Sequence, residues 1–466
     1  MAVRLTDSPS VDSASGQGSA GAAPNIVVIQ TDDQTVESMR VMKRTRRLIG
    51  RRGTTFTNHF ASWPECCPSR VTLLTGQYAH NHGVLGNPKA EFGGFENFAN
   101  QRNTLPVWLQ QRDYVTAHLG KYVNGYGLGR AKRSIPPGWD RWYTGVSHTV
   151  QDVYGYVQNE NGELVRYGAR KRDFKQDLIT RQAQRLIRRH ARPDGSRGPP
   201  LYLQVDYTAP HLAGPQTRRQ PPRRCERAAY PAPRDAKRFR NARMPRDPSF
   251  NERDVSDKPA SIRALAPLGK DEIANSKRRY RCRLASLLSV DRGVGRIVRE
   301  LREAGALQSS FVIFTSDNGY LLGEHRVPEG KALAYEPSIQ VPLMVRGPGV
   351  EPGAKRSELT VNVDLGRTIA RLAGADPGRV LDGRNLLSDP ESGGRDVLIE
   401  TNLYQGLRTE DWLWVEYENG ERELYDMQAD PKQLESMHDE PQTAAVRAEL
   451  AARLDELRDC EGAECR

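Results

Sequence analysis

The sequence predicts an α/β protein: a large sheet covered on both faces by helices, then a small C-terminal antiparallel sheet with one helix. Three observations predict it. Continuous apolar, β-branched runs such as NIVVIQ recur along the chain and mark strands buried on both faces. Helical patterns lie between these runs, which is the alternation of an α/β sheet. After about residue 375 the texture changes to alternating strands around Asn419-Gly420, a strong hairpin signal.

Taken in order, residues 1–24 are rich in Ser, Gly and Ala and read as a disordered leader. They contain no apolar h-region, so no signal peptide is expected in the sequence as written. Buried strands are expected at residues 25–30, 114–119 (YVTAHL), 201–205 (LYLQV), 311–315 (FVIFT) and 341–345 (VPLMV). Over residues 283–304, Leu284, Leu287, Leu288, Val294, Ile297, Val298 and Leu301 fall on a helical period. The main α/β domain is assigned to residues 25–375, with a Pro/Arg-rich insertion at about 214–280. Residues 376–466 form the closing subdomain, with a helix at about 443–458. No internal repeat is visible.

Composition excludes several classes. None of the apolar runs in the 466 residues approaches the ~18 residues of a membrane span, so no integral membrane protein is expected. Six cysteines in this length are not a disulfide scaffold. The net charge of +11 is concentrated: residues 211–250 carry ten Arg and one Lys against three acids. This run reads as a solvated surface loop or as an electropositive collar for an anionic substrate. Nucleic acid is not an expected partner, because no aromatics interleave with the basic residues and no reader motif is present.

Chemistry gathers where strands end, which is where open α/β sheets bind ligands. NIVVIQT runs into Asp32-Asp33, YVTAHLG into Lys121, LYLQVDYTAP into His211, and FVIFTS into Asp317-Asn318-Gly319. Each alone is an ordinary polar turn; two acidic and two basic ends in one sheet describe a charged site. Asp32, Asp33, Asp317 and Asn318 offer only hard oxygen ligands, which suit Ca²⁺ or Mg²⁺ and not Zn²⁺.

The stretch from Pro64 to Gly76 is the most informative. Pro68 suits a first helical turn and Gly76 can close the helix, so Cys66 lies at a helix N-terminus, where backbone N–H groups hold anions. Arg70 adds a fixed guanidinium one turn in. The adjacent Cys66 and Cys67 are open to three readings: a packed thiol pair, a reactive thiolate, or half of a metal site. His80 and His82 do not complete a zinc site, because no partner C-x₂-C exists.

Cys66-x-Pro68-Ser69-Arg70 followed by Leu74-Thr75-Gly76 resembles the sulfatase signature. Asp32-Asp33, Gly120-Lys121-Tyr122, Ala209-Pro210-His211, Asp317-Asn318-Gly319 and Lys331 stand in family order, so the resemblance runs over nearly the whole chain. It is most similar to N-acetylglucosamine-6-sulfatases and arylsulfatases. The resemblance implies an alkaline-phosphatase-like fold with a large mixed central sheet. It also implies oxidation of Cys66 to formylglycine by a formylglycine-generating enzyme, and a divalent cation held by Asp32, Asp33, Asp317, Asn318 and residue 66. The implied substrate is a sulfated carbohydrate or aryl sulfate. One hydroxyl of the hydrated aldehyde attacks sulfur, and the second expels sulfate from the covalent sulfo-enzyme. Arg70, Lys121 and Lys331 would neutralise sulfate oxygens, and His211 would bond sulfate or protonate the leaving oxygen.

One departure matters. The histidine that many sulfatases carry two residues after the active-site lysine is Val123 here. His325, in Gly323-Glu324-His325-Arg326, is the expected base for sulfate release, with recognition of the sugar as its other reading. The alternatives at this stage are a phosphonate or phosphate ester hydrolase on the same scaffold, and a polyanion-binding protein with an inactive site. Cys460 and Cys465 bracket a loop short enough to close as a disulfide, which would place maturation in an oxidising compartment. Pairing of Cys225 with Cys282 is left open by the sequence.

Overall fold

The computed structural model describes residues 23–214, 225–388 and 394–466. The leader expected at 1–24 therefore lies almost wholly outside the described residues, as does the stretch 215–224 of the expected insertion.

Ten strands build the main sheet: β1 (Asn25–Thr31), β2 (Thr54–Phe60), β3 (Val115–Gly120), β4 (Arg141–Gly145), β5 (Val157–Glu160), β6 (Glu163–Arg166), β7 (Leu201–Asp206), β8 (Ser310–Ser316), β9 (Leu343–Arg346) and β10 (Lys355–Val361). Their spatial order is β10-β2-β9-β8-β1-β7-β3-β4-β5-β6. The centre, β8-β1-β7-β3-β4, is parallel, while β9, β5 and β6 join antiparallel. The sheet is thus mixed, and the five expected runs supply β1, β3, β7, β8 and β9.

The runs are apolar throughout because both faces are covered. Alternate residues serve alternate layers. Val27, Ile29, Leu203 and Val205 pack with the helices Lys175–His190 and Lys270–Glu303. Ile26, Val28 and Tyr202 pack with Val71, Leu73 and Leu74 of the helix Cys66–Thr75 and with the helix Val363–Ala373. The long helix starts at Lys270, earlier than its apolar period suggested. Its first turns are polar, and the Cys225–Cys282 disulfide ties the insertion to it.

The insertion lies against the main domain through ion pairs. Arg234 meets Asp177 at 2.6 Å, and Asp235 pairs with Arg292. The second sheet is an antiparallel meander, β11 (Val397–Glu400), β12 (Tyr404–Arg408), β13 (Trp412–Tyr417) and β14 (Arg422–Asp426), with the helix Ala444–Arg458 packed on it. The hairpin turns at Asn419-Gly420, and Gly420 takes φ +86°, a conformation glycine adopts without cost. A second disulfide joins Cys460 to Cys465. Among the described residues, no helix is long and apolar enough to cross a membrane.

Candidate active site

The carboxyl ends of β1, β3, β7 and β8 are adjacent in the sheet, and the helix Cys66–Thr75 begins beside them. Cys66 is the first residue of that helix, Glu65 is its extended N-cap, and Gly76 closes it at φ +66°. The chain reverses there only because a left-handed residue can end the helix.

Cys66 Sγ lies 3.4 Å from Asp32 Oδ1 and 2.9 Å from Lys331 Nζ. Ligand atoms of Asp32, Asp33, Cys66 and His211 all fall within 4.8 Å of one another. Lys331 Nζ also lies 2.5 Å from Asp33 Oδ1 and 3.3 Å from Asn318 Oδ1. Asn318 Nδ2 donates to Asp33 Oδ1 at 2.7 Å, and the Asp33 amide donates to Asp317 Oδ1 at 3.1 Å. Lys121 Nζ is fully buried, 2.6 Å from Asp32 Oδ2. The structure therefore brings together Asp32, Asp33, Cys66, Lys121, His211, Asp317, Asn318 and Lys331.

Arg70 stands behind this group. It is 2% exposed; its Nε donates to Asp317 Oδ2 at 2.9 Å, and its Nη1 donates to the Lys121 carbonyl at 2.7 Å. Its Nη2 lies 2.8 Å from Asp317 Oδ2 but makes no well-aligned hydrogen bond among the described residues. Ser69 Oγ donates to the Asp317 carbonyl at 2.5 Å and accepts from Asn362 Nδ2 at 3.0 Å, fixing the β8 end to the helix.

Burial alone would raise every acid here, and the local charges decide otherwise. Burial pushes Asp32 up, but Lys121, His211, Arg70 and Lys331 hold it well below the usual carboxylate range. Asp33 is likewise lowered: burial opposes, and Lys331 and His211 prevail. Asp317 goes the other way, raised by burial and by the charge of Asp32 beyond what Arg70 offsets. Burial and Asp32 push the Cys66 thiol well up, against the pull of Lys121 and Lys331.

A divalent cation fits this donor set. Three buried carboxylates and an amide carbonyl converge as hard oxygen ligands, and the Lys331 ammonium already bridges two of them.

His211 Nδ1 donates to the Leu212 carbonyl at 2.7 Å, which leaves Nε2 facing Asp33 Oδ2 at 3.6 Å. His325 is not brought into this group. Its Nδ1 engages Glu252 Oε2 at 2.6 Å, its amide donates to the Ser249 carbonyl, and its ring stacks on Tyr335 at 3.9 Å. Those partners are the insertion and the second core, so its described contacts hold the insertion to the loop after β8. His82 is also remote from the chemistry: Nε2 meets Thr72 Oγ1 at 3.1 Å, and burial pushes its pKa down to about 3. Val123 is buried in the core, and Asn124 Nδ2 donates to Asn87 Oδ1.

Sequence reasoning missed Arg283, which donates to the backbone carbonyls of Asp33 and Pro210 and stacks on Tyr320. It also missed Asp206 and His118. The signal for Asp206 was present: an acid closing the apolar run LYLQVD.

The sequence profile of the family named Sulfatase matches residues 24–375. The human N-acetylglucosamine-6-sulfatase is 30% identical over 500 residues, covering 95% of this chain and 86% of that one. A Sulf-1 homolog of Caenorhabditis elegans is 35% identical over 366 residues; the match covers 78% of this chain, and the chain spans 48% of that relative's length. Among solved structures, a protein in complex with its substrate D-glucosamine-2-N,6-O-disulfate superposes with a TM-score of 0.76 over 93% of this chain and 97% of that one, at 23% identity. That likeness bears on the fold, which is alkaline-phosphatase-like. With the profile spanning most of its length and its signature at the head of the Cys66–Thr75 helix, the chain belongs to the sulfatase family.

Proposed function

We propose that this protein hydrolyses sulfate monoesters of sugars, using a formylglycine formed from Cys66 and one Ca²⁺ or Mg²⁺. The observation that carries the reading is the position of Cys66: at a helix N-terminus, 2.9 Å from Lys331 Nζ and within reach of Asp32, Asp33 and His211. A helix start, a buried and a partly buried lysine and a hard-oxygen donor set suit a doubly charged ion and an anionic ester together. The human relative's name supports a 6-sulfated N-acetylglucosamine as the sugar.

Formylglycine at position 66 supplies, as its hydrate, an oxygen nucleophile and a second hydroxyl for sulfate release. Asp32, Asp33, Asp317 and Asn318, with residue 66, would hold the divalent ion, which would supply Lewis-acid charge. The chain's own residues do the rest. Lys121 and Lys331 neutralise charge that builds on the sulfate oxygens, an electrostatic effect worth about 3 kcal/mol per well-placed donor. Arg70 holds Asp317 and the Lys121 carbonyl in place. His211 gives a proton from Nε2 to the leaving alcohol oxygen as the S–O bond breaks. The attacking hydroxyl loses its own proton to solvent as the covalent ester forms. His211 recovers a proton from the second hydroxyl when sulfate departs, and water rehydrates the aldehyde, so the cycle consumes one water and releases one proton. His325 holds the insertion against the loop after β8 through Glu252 and Tyr335.

Two disulfides join Cys225 to Cys282 and Cys460 to Cys465, which supports maturation in an oxidising compartment. The deciding experiment pairs peptide mass spectrometry across residues 52–70 with turnover of an aryl sulfate and an aryl phosphonate ester. The reading requires an aldehyde at residue 66 and preference for the sulfate. Preference for the phosphonate would make the protein a phosphonate ester hydrolase, and intact Cys66 in active enzyme would remove the mechanism.

A further inference from the structure

Asp206 closes β7 and is 1% exposed, a carboxylate inside the sheet layer rather than at the ligand surface. Burying a charge there costs several kcal/mol unless it is paired and hydrogen-bonded. Its Oδ2 receives three groups: His118 Nε2 at 2.9 Å, Gln204 Nε2 at 2.9 Å and the Arg70 guanidinium at 3.6 Å. The Asp206 backbone carbonyl accepts the Lys121 amide at 3.0 Å. That approach needs Gly120, since any Cβ there would collide with the same carbonyl. One residue therefore touches both buried cations of the site, Arg70 by its side chain and Lys121 by its main chain.

His118 holds Asp206 in turn. A carboxylate only accepts, so the 2.9 Å contact assigns the proton to His118 Nε2. Nδ1 then accepts the Thr144 hydroxyl at 2.6 Å. The imidazole is fully buried against Trp142, Tyr122 and Trp139, with ring centroids 4.8, 5.1 and 5.4 Å away. Burial pushes its pKa down against the pull of Asp206, in keeping with a neutral ring. Arg70 thus sits between two carboxylates, Asp317 on the nucleophile side and Asp206 on the interior side.

We propose that Asp206, oriented by His118, is a positioning residue that sets the angle of Arg70 and the reach of Lys121 toward the reacting sulfate. The proposal rests on the sulfatase reading and extends it to residues that touch neither ester nor nucleophile. Partners at this remove tune the groups they hold, and losing one typically costs about 10–100-fold in activity.

The test uses the full chain with a chromogenic aryl sulfate, reading kcat and KM separately, formylglycine occupancy by peptide mass spectrometry, and the thermal midpoint. Asp206→Asn and His118→Phe are each expected to lower kcat about 10–100-fold with KM little changed. His118→Gln keeps an amide donor for Asp206 and an acceptor for Thr144, and is expected to recover most of that loss. Folded, formylglycine-bearing Asn and Phe variants with wild-type kcat would overturn the proposal while leaving the sulfatase reading intact. If Asp206→Asn does not accumulate folded, the His118 pair decides: equal kcat for Gln and Phe overturns the proposal. A wild-type protein that turns over no sulfate ester sinks the sulfatase reading itself, and the proposal with it.

Discussion

The ammonium of Lys331 lies 2.9 Å from the sulfur of Cys66, although 265 residues separate them in the chain. The lysine reaches in from the loop after β8, and the cysteine stands at the head of a helix after β2. Their meeting places a positive charge beside the thiol proposed above as the source of formylglycine.

Cys66 and Cys67 are expected to behave differently despite their adjacency. Cys67 is buried in the core with its thiol 3.8 Å from the Asn124 carbonyl, whereas Cys66 faces the charged cluster. Cys66→Ala should abolish turnover. Cys67→Ala should retain it while losing stability by roughly 1–2 kcal/mol, the cost of a small cavity. Peptide mapping that finds the aldehyde at residue 67 would reverse the assignment.

Metal removal should silence the enzyme. Exhaustive chelation is expected to abolish aryl sulfate turnover, with Ca²⁺ or Mg²⁺ restoring it, because Asp32, Asp33, Asp317 and Asn318 offer hard oxygens. Asp33→Asn should weaken retention of the ion in metal analysis. Stoichiometric zinc in the purified protein would contradict the donor-set argument.

The two histidines should separate by function. His211→Ala is expected to lower kcat about 10²–10⁴-fold, the usual share of a general acid–base. His325→Ala removes the bond to Glu252 and the stack on Tyr335, so its main effect should fall on stability and on KM for sulfated sugars. A burst of alcohol product from His325→Ala, followed by slow turnover, would return the base role to His325.

A pH-dependent tie links the two sheets. His80 Nδ1 meets Glu400 Oε2 at 2.8 Å and Nε2 meets the Cys460 carbonyl at 3.0 Å, so the protonated ring serves both acceptors. Burial alone would lower its pKa, but Glu400, the Cys460 carbonyl and Asp382 raise it to about 9. A folded pKa above the unfolded value of 6.5 gives stability that is fully present below about pH 6.5 and lost as pH rises through 9. The full shift corresponds to at most about 3 kcal/mol. The thermal midpoint gap between wild type and His80→Gln should therefore be widest near pH 6 and close above pH 9. A gap independent of pH would show that the ring acts by packing alone.

Local sequence was sufficient for five of the ten strands of the main sheet and for the helix start that carries Cys66. Period and β-branching located β1, β3, β7 and β8 because strands buried on both faces must be apolar along their length. The acids and bases at their ends were legible for the same reason: they stand where an apolar run stops. Cys66 was legible because its helix carries its own start and stop signals, Pro68 and Gly76. The partners of His325 were not legible because a motif places a residue along the chain and not in space. What captured its ring was Glu252, 73 positions away in an insertion without periodic pattern.

The tertiary structure alone decided which charges oppose which. Asp32 and Asp317 are the same residue type at equivalent strand ends and both are pushed up by burial, yet Lys121 against Asp32 holds it low while the charge of Asp32 adds to the rise of Asp317. Asp206 and Arg70 look unrelated in sequence, and only the parallel pairing of β3 with β7 brings His118 and Asp206 behind the guanidinium. Coulomb energies depend on distance and on burial together. Both quantities are set when the sheet closes, and neither is written in any local stretch of sequence.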